Sequence, residues 1–169
     1  MDRACFELRL FGPVRLSRDG EHTPVPAGRC QEVLALLVLN GGSAHRGALC
    51  AALWPDARVK ASQNSLRSLL TRLRRATGLR IEREGDLVVV RDAVWCDVEE
   101  FIRTATAAVA TVDDVATRNR LAVRAQELWR GAPLDSWRYE PWAAEVRVKA
   151  FRLQEALWAM LGQDAGTAS

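Results

Sequence analysis

Apolar and polar positions alternate at the start of the chain, with Phe6, Leu8 and Leu10 on one side of Cys5–Leu10. That period of two predicts a half-buried strand. Gly12-Pro13 interrupts it, Val14–Leu16 starts a second strand, and Asp19-Gly20 supplies a hairpin turn. A third extended piece is expected around Thr23–Val25, before Pro26 and Gly28. The expectation is three short antiparallel strands.

The pattern then changes to a helical one. Arg29–Leu39 is apolar on most sides, which predicts a central helix stopped at Asn40-Gly41-Gly42. Arg46–Leu53 reads as a short helix closed by Trp54-Pro55-Asp56, and Ser62–Thr77 as a longer one ended by Gly78. Leu79–Arg83 and Leu87–Arg91 flank Glu84-Gly85-Asp86, a second hairpin. Beyond Val94–Asp97 three helices are expected. One runs from Asp97 to Ala110, one from Asp113 or Asp114 to Trp129, and one from Glu140 to Leu161 with Pro141 in its first turn.

This order predicts an α+β fold. A winged helix-turn-helix with an N-terminal antiparallel sheet and a C-terminal hairpin would occupy residues 1–95. A small all-α tetratricopeptide-like domain would fill 96–162, followed by a disordered tail at 163–169.

Charge sharpens the picture at one place. Between Asp56 and Glu82 there are seven basic residues and no acidic one, whereas the remainder of the chain, with 17 basic and 21 acidic residues, is net negative. The basic character is local, as suits contact with a polyanion. On a helical wheel Leu66, Leu69, Leu70 and Leu73 form a core-facing stripe. The opposite face holds Lys60, Asn64, Ser68, Thr71 and Arg75, with Arg67 and Arg72 at its flanks. Asn suits an adenine edge, Arg a guanine edge or a phosphate, and Ser or Thr either. An ordinary solvated face mixes Glu with Arg at i, i+4, and none is present here. These residues are the expected contacts to double-stranded DNA, with Arg83 and Arg91 of the hairpin as additional candidates.

Other chemistries find little support. Cys5, Cys30, Cys50 and Cys96 are widely spaced without a CxxC pair, and His22 and His45 are the only histidines. No metal site, cofactor or catalytic centre is expected. No apolar run approaches the ~18 residues that span a bilayer, and no apolar signal core opens the chain, so a cytoplasmic protein without membrane contact is expected.

Several strings together resemble the Streptomyces antibiotic regulatory protein (SARP) family, with its OmpR-type winged helix. They are Phe6–Leu16, Gly28–Gly42, Ala52-Leu-Trp-Pro-Asp56 and Asn64–Arg75. Leu128–Leu134 and Glu140–Ala144 resemble the start of the bacterial transcriptional activator domain that follows it in that family. The resemblance implies a cytoplasmic transcriptional regulator that binds promoter repeats and recruits RNA polymerase holoenzyme, often at secondary-metabolite clusters such as those of antibiotic biosynthesis. It also implies that the Pro55–Ala61 loop, with Trp54, Pro55, Asp56 and Arg58, faces the polymerase. The wing Glu84–Val88 departs from the family in lacking an aromatic beside its glycine. The helical part matches only about three helices of a longer module. A repeat without its neighbours exposes the face they cover, so a homodimer through Trp142, Val146, Phe151, Leu153, Leu157 and Trp158 is the alternative expectation. Under that reading the helical half is a protein-interaction module, or a competitor of a full-length regulator, with at least two of Trp129, Trp137, Trp142 and Trp158 partly exposed.

Overall fold

In the computed structural model, which describes residues 5–166, the chain divides into two units. One comprises the residues up to Leu8 together with Val14–Cys96. The other comprises Arg9–Pro13 together with the chain from Asp97 onward. The architecture is α+β, a winged helix with an N-terminal sheet and a separate helical unit.

The first unit opens with β1 (Phe6–Arg9), β2 (Arg15–Arg18) and β3 (Glu21–Thr23). The Asp19-Gly20 turn joins β2 to β3 in antiparallel register, Leu16 opposite Thr23. The sheet is larger than the sequence pattern indicates. A fourth strand, β7 (Val94–Cys96), lies parallel to β1 with Phe6 opposite Val94, giving the order β3-β2-β1-β7. Three residues carry too little periodicity to announce a strand, and β7 exists because β1 offers it an edge.

Helix α1 (Arg29–Leu39) buries every residue from Val33 to Val38, which makes it the centre of this unit. Its end is closed as Asn40-Gly41-Gly42 implies. Gly42 N–H donates to Leu37 O and Gly41 N–H to Val38 O, satisfying carbonyls that the helix leaves open. Helix α2 (Arg46–Leu53) turns Leu49 and Leu53 inward. A short strand, β4 (Ser43–His45), pairs with β6 (Leu87–Val90) of the hairpin, so the wing is a three-stranded sheet ordered β4-β6-β5, where β5 is Ile81–Glu84.

Helix α3 runs from Val59 to Thr77, starting three residues before the expected Ser62. Ser62 does not cap it. Arg58 O takes the N–H groups of Ala61 and Ser62, and the buried Ser62 hydroxyl donates back to Val59 O. No helix breaker stands between Pro55 and Ser62, so the first turn forms. The loop expected at Pro55–Ala61 is therefore confined to Trp54–Arg58.

At the other end Gly78 takes φ 72° and donates its N–H to Arg74 O. An L-residue held there costs about 1–2 kcal/mol. The Cβ of alanine would also meet the mobile end of Arg18 at 3.2 Å. Gly78→Ala is expected to lower unfolding free energy by about 1–2 kcal/mol in urea titrations; an unchanged midpoint would contradict the strain.

The helical unit contains α4 (Asp97–Ala110), α5 (Val115–Leu128), a single 3-10 turn at Asp135–Trp137, and α6 (Pro141–Gly166). Asp114 caps α5, its carboxylate accepting the Thr117 N–H at 2.9 Å. Helix α6 passes Gly162 and continues into the stretch expected as a tail. Once a helix is established, one glycine costs only about 1 kcal/mol, and propagation carries on. Residues 167–169 of that expected tail lie outside the described residues.

Phe11, Phe101 and Trp129 pack edge-on or tilted, with centroids 4.9–5.5 Å apart, and Phe151 lies 5.6 Å from Trp129. Residues 9–13 are thus part of this core, not only a connection between strands. Gln154 on α6, 2% exposed, donates its amide to Gln126 Oε1 on α5 at 3.1 Å.

The expected docking surface of α6 needs correction. Leu157 is fully buried with Ala143 and Ala150, because the inward row of α6 packs on α4 and α5. Trp142, half-buried, packs against Trp137 with the rings tilted by 50°, and Val146 and Leu153 are half-buried too. Phe151 and Trp158 remain exposed, together with Val148. No described helix is long and apolar enough to cross a membrane.

Candidate nucleic-acid interface

Helix α3 is anchored by its leucines. Leu66, Leu69, Leu70 and Leu73 are all buried, which fixes the direction in which the opposite face points. On that face Lys60, Asn64, Ser68 and Arg75 are exposed. Thr71 is half-buried and its hydroxyl donates to Arg67 O at 3.0 Å, so its proton is already committed. The whole of α3 carries no acidic residue.

Two concavities flank this face. One, of about 500 Å³, separates α3 from the wing and is lined by Arg46, Asn64, Arg67, Arg74 and Arg83 among others. The second, of about 560 Å³, lies along the other side and includes Arg29, Trp54, Asn64, Ser68 and Arg72. Asn64 lines both. The 100° step per residue explains the split, with Arg67 and Arg74 falling on one flank and Arg72 on the other.

The cations differ in what already holds them. Among the described residues, Arg58, Lys60, Arg67 and Arg75 have no carboxylate partner. Arg72 donates from Nη2 to the buried Cys30 Sγ at 3.4 Å, and Arg83 from Nε to Gly85 O at 3.1 Å; both guanidinium groups stay exposed. Arg74 Nε donates to Ile81 O at 2.5 Å and ties the helix to β5. Arg46 bridges to Asp86 at the wing turn, Nη2 to Oδ1 at 3.0 Å. Arg29 pairs with the buried Glu32 at 2.6 Å.

Arg91, also expected as a contact, already has partners within the protein. It is held by Glu82 at 2.9 Å and also by Glu84, both on β5. The acid-free window ends at Glu82, and antiparallel pairing of β5 with β6 brings those carboxylates to Arg91. A cation already neutralised twice offers little to a phosphate. Of the other loop residues, Pro55, Asp56 and Arg58 are exposed, while Trp54 is half-buried beside the Arg72 concavity.

Sequence reasoning missed Arg46, Arg29 and Arg74 as lining residues. Arg74 was legible from its place on the flank of the wheel. Arg46 was not, since only the pairing of β4 with β6 carries it to the wing.

Comparison with known proteins is sparse for sequence and informative for structure. No family model matches the chain, and no curated protein matches it. Among solved structures it is similar to EmbR of Mycobacterium tuberculosis, determined in complex with a low-affinity phosphopeptide, at 25% identity and a TM-score of 0.70. The match covers 93% of this chain but only 44% of that one, so this chain spans less than half of EmbR's length. The likeness supports a winged helix of the SARP and OmpR type followed by helices, the architecture described above.

Proposed function

We propose that this chain is a sequence-specific DNA-binding transcriptional regulator of the SARP type, which seats α3 in the major groove of duplex DNA. The observation that carries this reading is the α3 surface itself, acid-free and exposed, with cations on both flanks that lack carboxylate partners among the described residues and leucines fixing its back. Such a surface has no internal use for its charge; a polyanion supplies one. In the same reading the protein acts in the cytoplasm at promoter repeats, including those of secondary-metabolite clusters. The exposed Pro55, Asp56 and Arg58, with Trp54 at their base, then meet RNA polymerase.

The test is duplex binding by the purified protein across a salt series. Arg67→Ala with Arg72→Ala is expected to weaken binding at least tenfold and to flatten the logarithmic salt dependence by about 0.9 per phosphate contact removed. Arg67→Ala alone separates charge loss from any disturbance at Cys30, because it is Arg72 that bonds to Cys30, and the Arg67 side chain has no hydrogen-bond or carboxylate partner among the described residues. Absence of duplex binding at low salt would end the proposal. Undiminished binding by the double variant would move the interface to another element.

One observation favours a second role for the helical unit. Val148, Phe151 and Trp158 are exposed along α6, 49%, 39% and 60% respectively. Trp129 and Trp142 are half-buried, while Trp137 is buried. That exposure suits a homodimer or a protein partner, and sedimentation at rising concentration distinguishes a self-associating chain from a monomer.

A further inference from the structure

The α3 face differs in chemistry across its width. Its midline is short and polar, with Asn64 and Ser68 between Lys60 and Arg75, whereas both flanks are long and cationic. A major groove is about 12 Å wide between its two backbones, and a helix with its side chains is about 10–12 Å across. A helix seated there presents its midline to the base edges and its flanks to the phosphates. Asn64 is the residue that lines both flanking concavities, so it stands where the two open onto a common ridge.

We infer that Asn64 is the base-reading side chain of this protein and that it takes an adenine, while the two flanking grooves take one phosphate backbone each. The inference rests on the duplex-DNA reading proposed above. Among the midline residues only Asn64 offers a donor and an acceptor on one planar group, the pair that matches N6 and N7 of adenine. Its amide has no hydrogen-bond partner among the described residues. Ser68 has one hydroxyl and cannot make a fork. Thr71 has given its proton to Arg67 O. Lys60 and Arg75 are cations that meet phosphate as readily as base. On the flanks, Arg67 and Arg83 face one backbone and Arg72 the other, each exposed and without a carboxylate partner among the described residues.

The experiment starts from a pool of duplexes with a randomised centre, from which the full chain selects its preferred sequence. Each adenine of the selected duplex is then replaced in turn by 7-deazaadenine, which removes N7 alone. At one adenine the native protein is expected to lose about tenfold in affinity, the size of one bidentate base contact. Asn64→Ala is expected to bind the unmodified duplex about tenfold more weakly and to ignore the modification at that adenine. Its salt dependence stays unchanged, since no phosphate contact is lost. Arg72→Ala and Arg83→Ala each weaken binding to every duplex and flatten the salt slope by about one.

If Asn64→Ala remains sensitive to 7-deazaadenine at the same position, or flattens the salt slope as an arginine variant does, Asn64 is not the reader. If the native protein binds duplexes at low salt but enriches no sequence, base reading fails while duplex binding stands. No duplex binding at all overturns the inference and the proposed function together.

Discussion

Phe11→Ala is expected to destabilise the helical unit by about 3–5 kcal/mol, the cost of deleting a large buried aromatic side chain. Phe11 precedes the first helix of that unit by more than eighty residues in sequence, yet it is 5% exposed and touches Phe101 and Trp129. Its surroundings are tied by backbone as well. Gly12 N–H donates to Ala132 O at 3.1 Å, and Leu134 N–H to Leu10 O at 2.9 Å. Urea unfolding followed by tryptophan fluorescence measures the loss, because Trp129 lies against the vacated space. A loss below 1 kcal/mol would show that residues 9–13 merely rest on the helices. The same packing predicts that a fragment beginning at Asp97 lacks a completed core and unfolds without a cooperative transition.

The second large effect is expected at Asp97. Its carboxylate accepts the N–H groups of Leu10 at 2.8 Å, Phe11 at 3.3 Å and Val98 at 2.8 Å, all in buried surroundings. Asp97→Ala leaves buried donors unpaired at about 1–3 kcal/mol each, so a loss of about 3 kcal/mol or more is expected. Asp97→Asn keeps one acceptor oxygen and should lose less. Burial holds the Asp97 pKa above its ordinary value, although the bonds from Leu10, Phe11 and Val98 and the charge of Arg9 pull the other way. A raised folded pKa means that the folded protein binds the proton more tightly than the unfolded chain does. The corresponding stability is complete below the unfolded pKa of about 3.9 and is lost as pH rises through the folded value. Asn does not titrate, so the deficit of Asp97→Asn relative to the native protein is expected to shrink between pH 4 and 7. Unfolding free energies of the two proteins across that range decide it, and a widening deficit reverses the assignment. Glu100 behaves oppositely. Its bond to Arg103, with Arg124 nearby, holds its pKa low, but it is common to both proteins and cancels in the comparison.

Much of the winged unit is readable in the sequence. Helices α1 and α2 have the bounds that the apolar pattern and the flanking Gly and Pro residues imply, and Gly78 ends α3 as a left-handed glycine should. The leucine stripe of α3 and the polar face behind it follow from the same local periodicity. The strands β4 and β7 were invisible, at three residues each, because they are made by their partners and not by their own composition. The first turn of α3 lies ahead of the expected start at Ser62, where Arg58 O accepts from the Ala61 and Ser62 N–H groups without any apolar pattern to announce it. At the candidate site the charge was legible and the pairing was not. Arg91 and Arg67 are equally basic in the sequence, and only the hairpin register gives Glu82 and Glu84 to one and no carboxylate to the other.

The order of residues alone settled which segments are helical, which face of α3 is apolar, and where positive charge concentrates, since all three depend on neighbours within a few turns. Tertiary structure decided what long-range contact controls. It joined β7 to β1, carried Leu10 and Phe11 to an aspartate 87 and 86 positions away, and sorted the arginines into those already satisfied and those left facing solvent. Periodicity is written along the chain, but a hydrogen-bond or ion-pair partner is chosen only when distant segments meet.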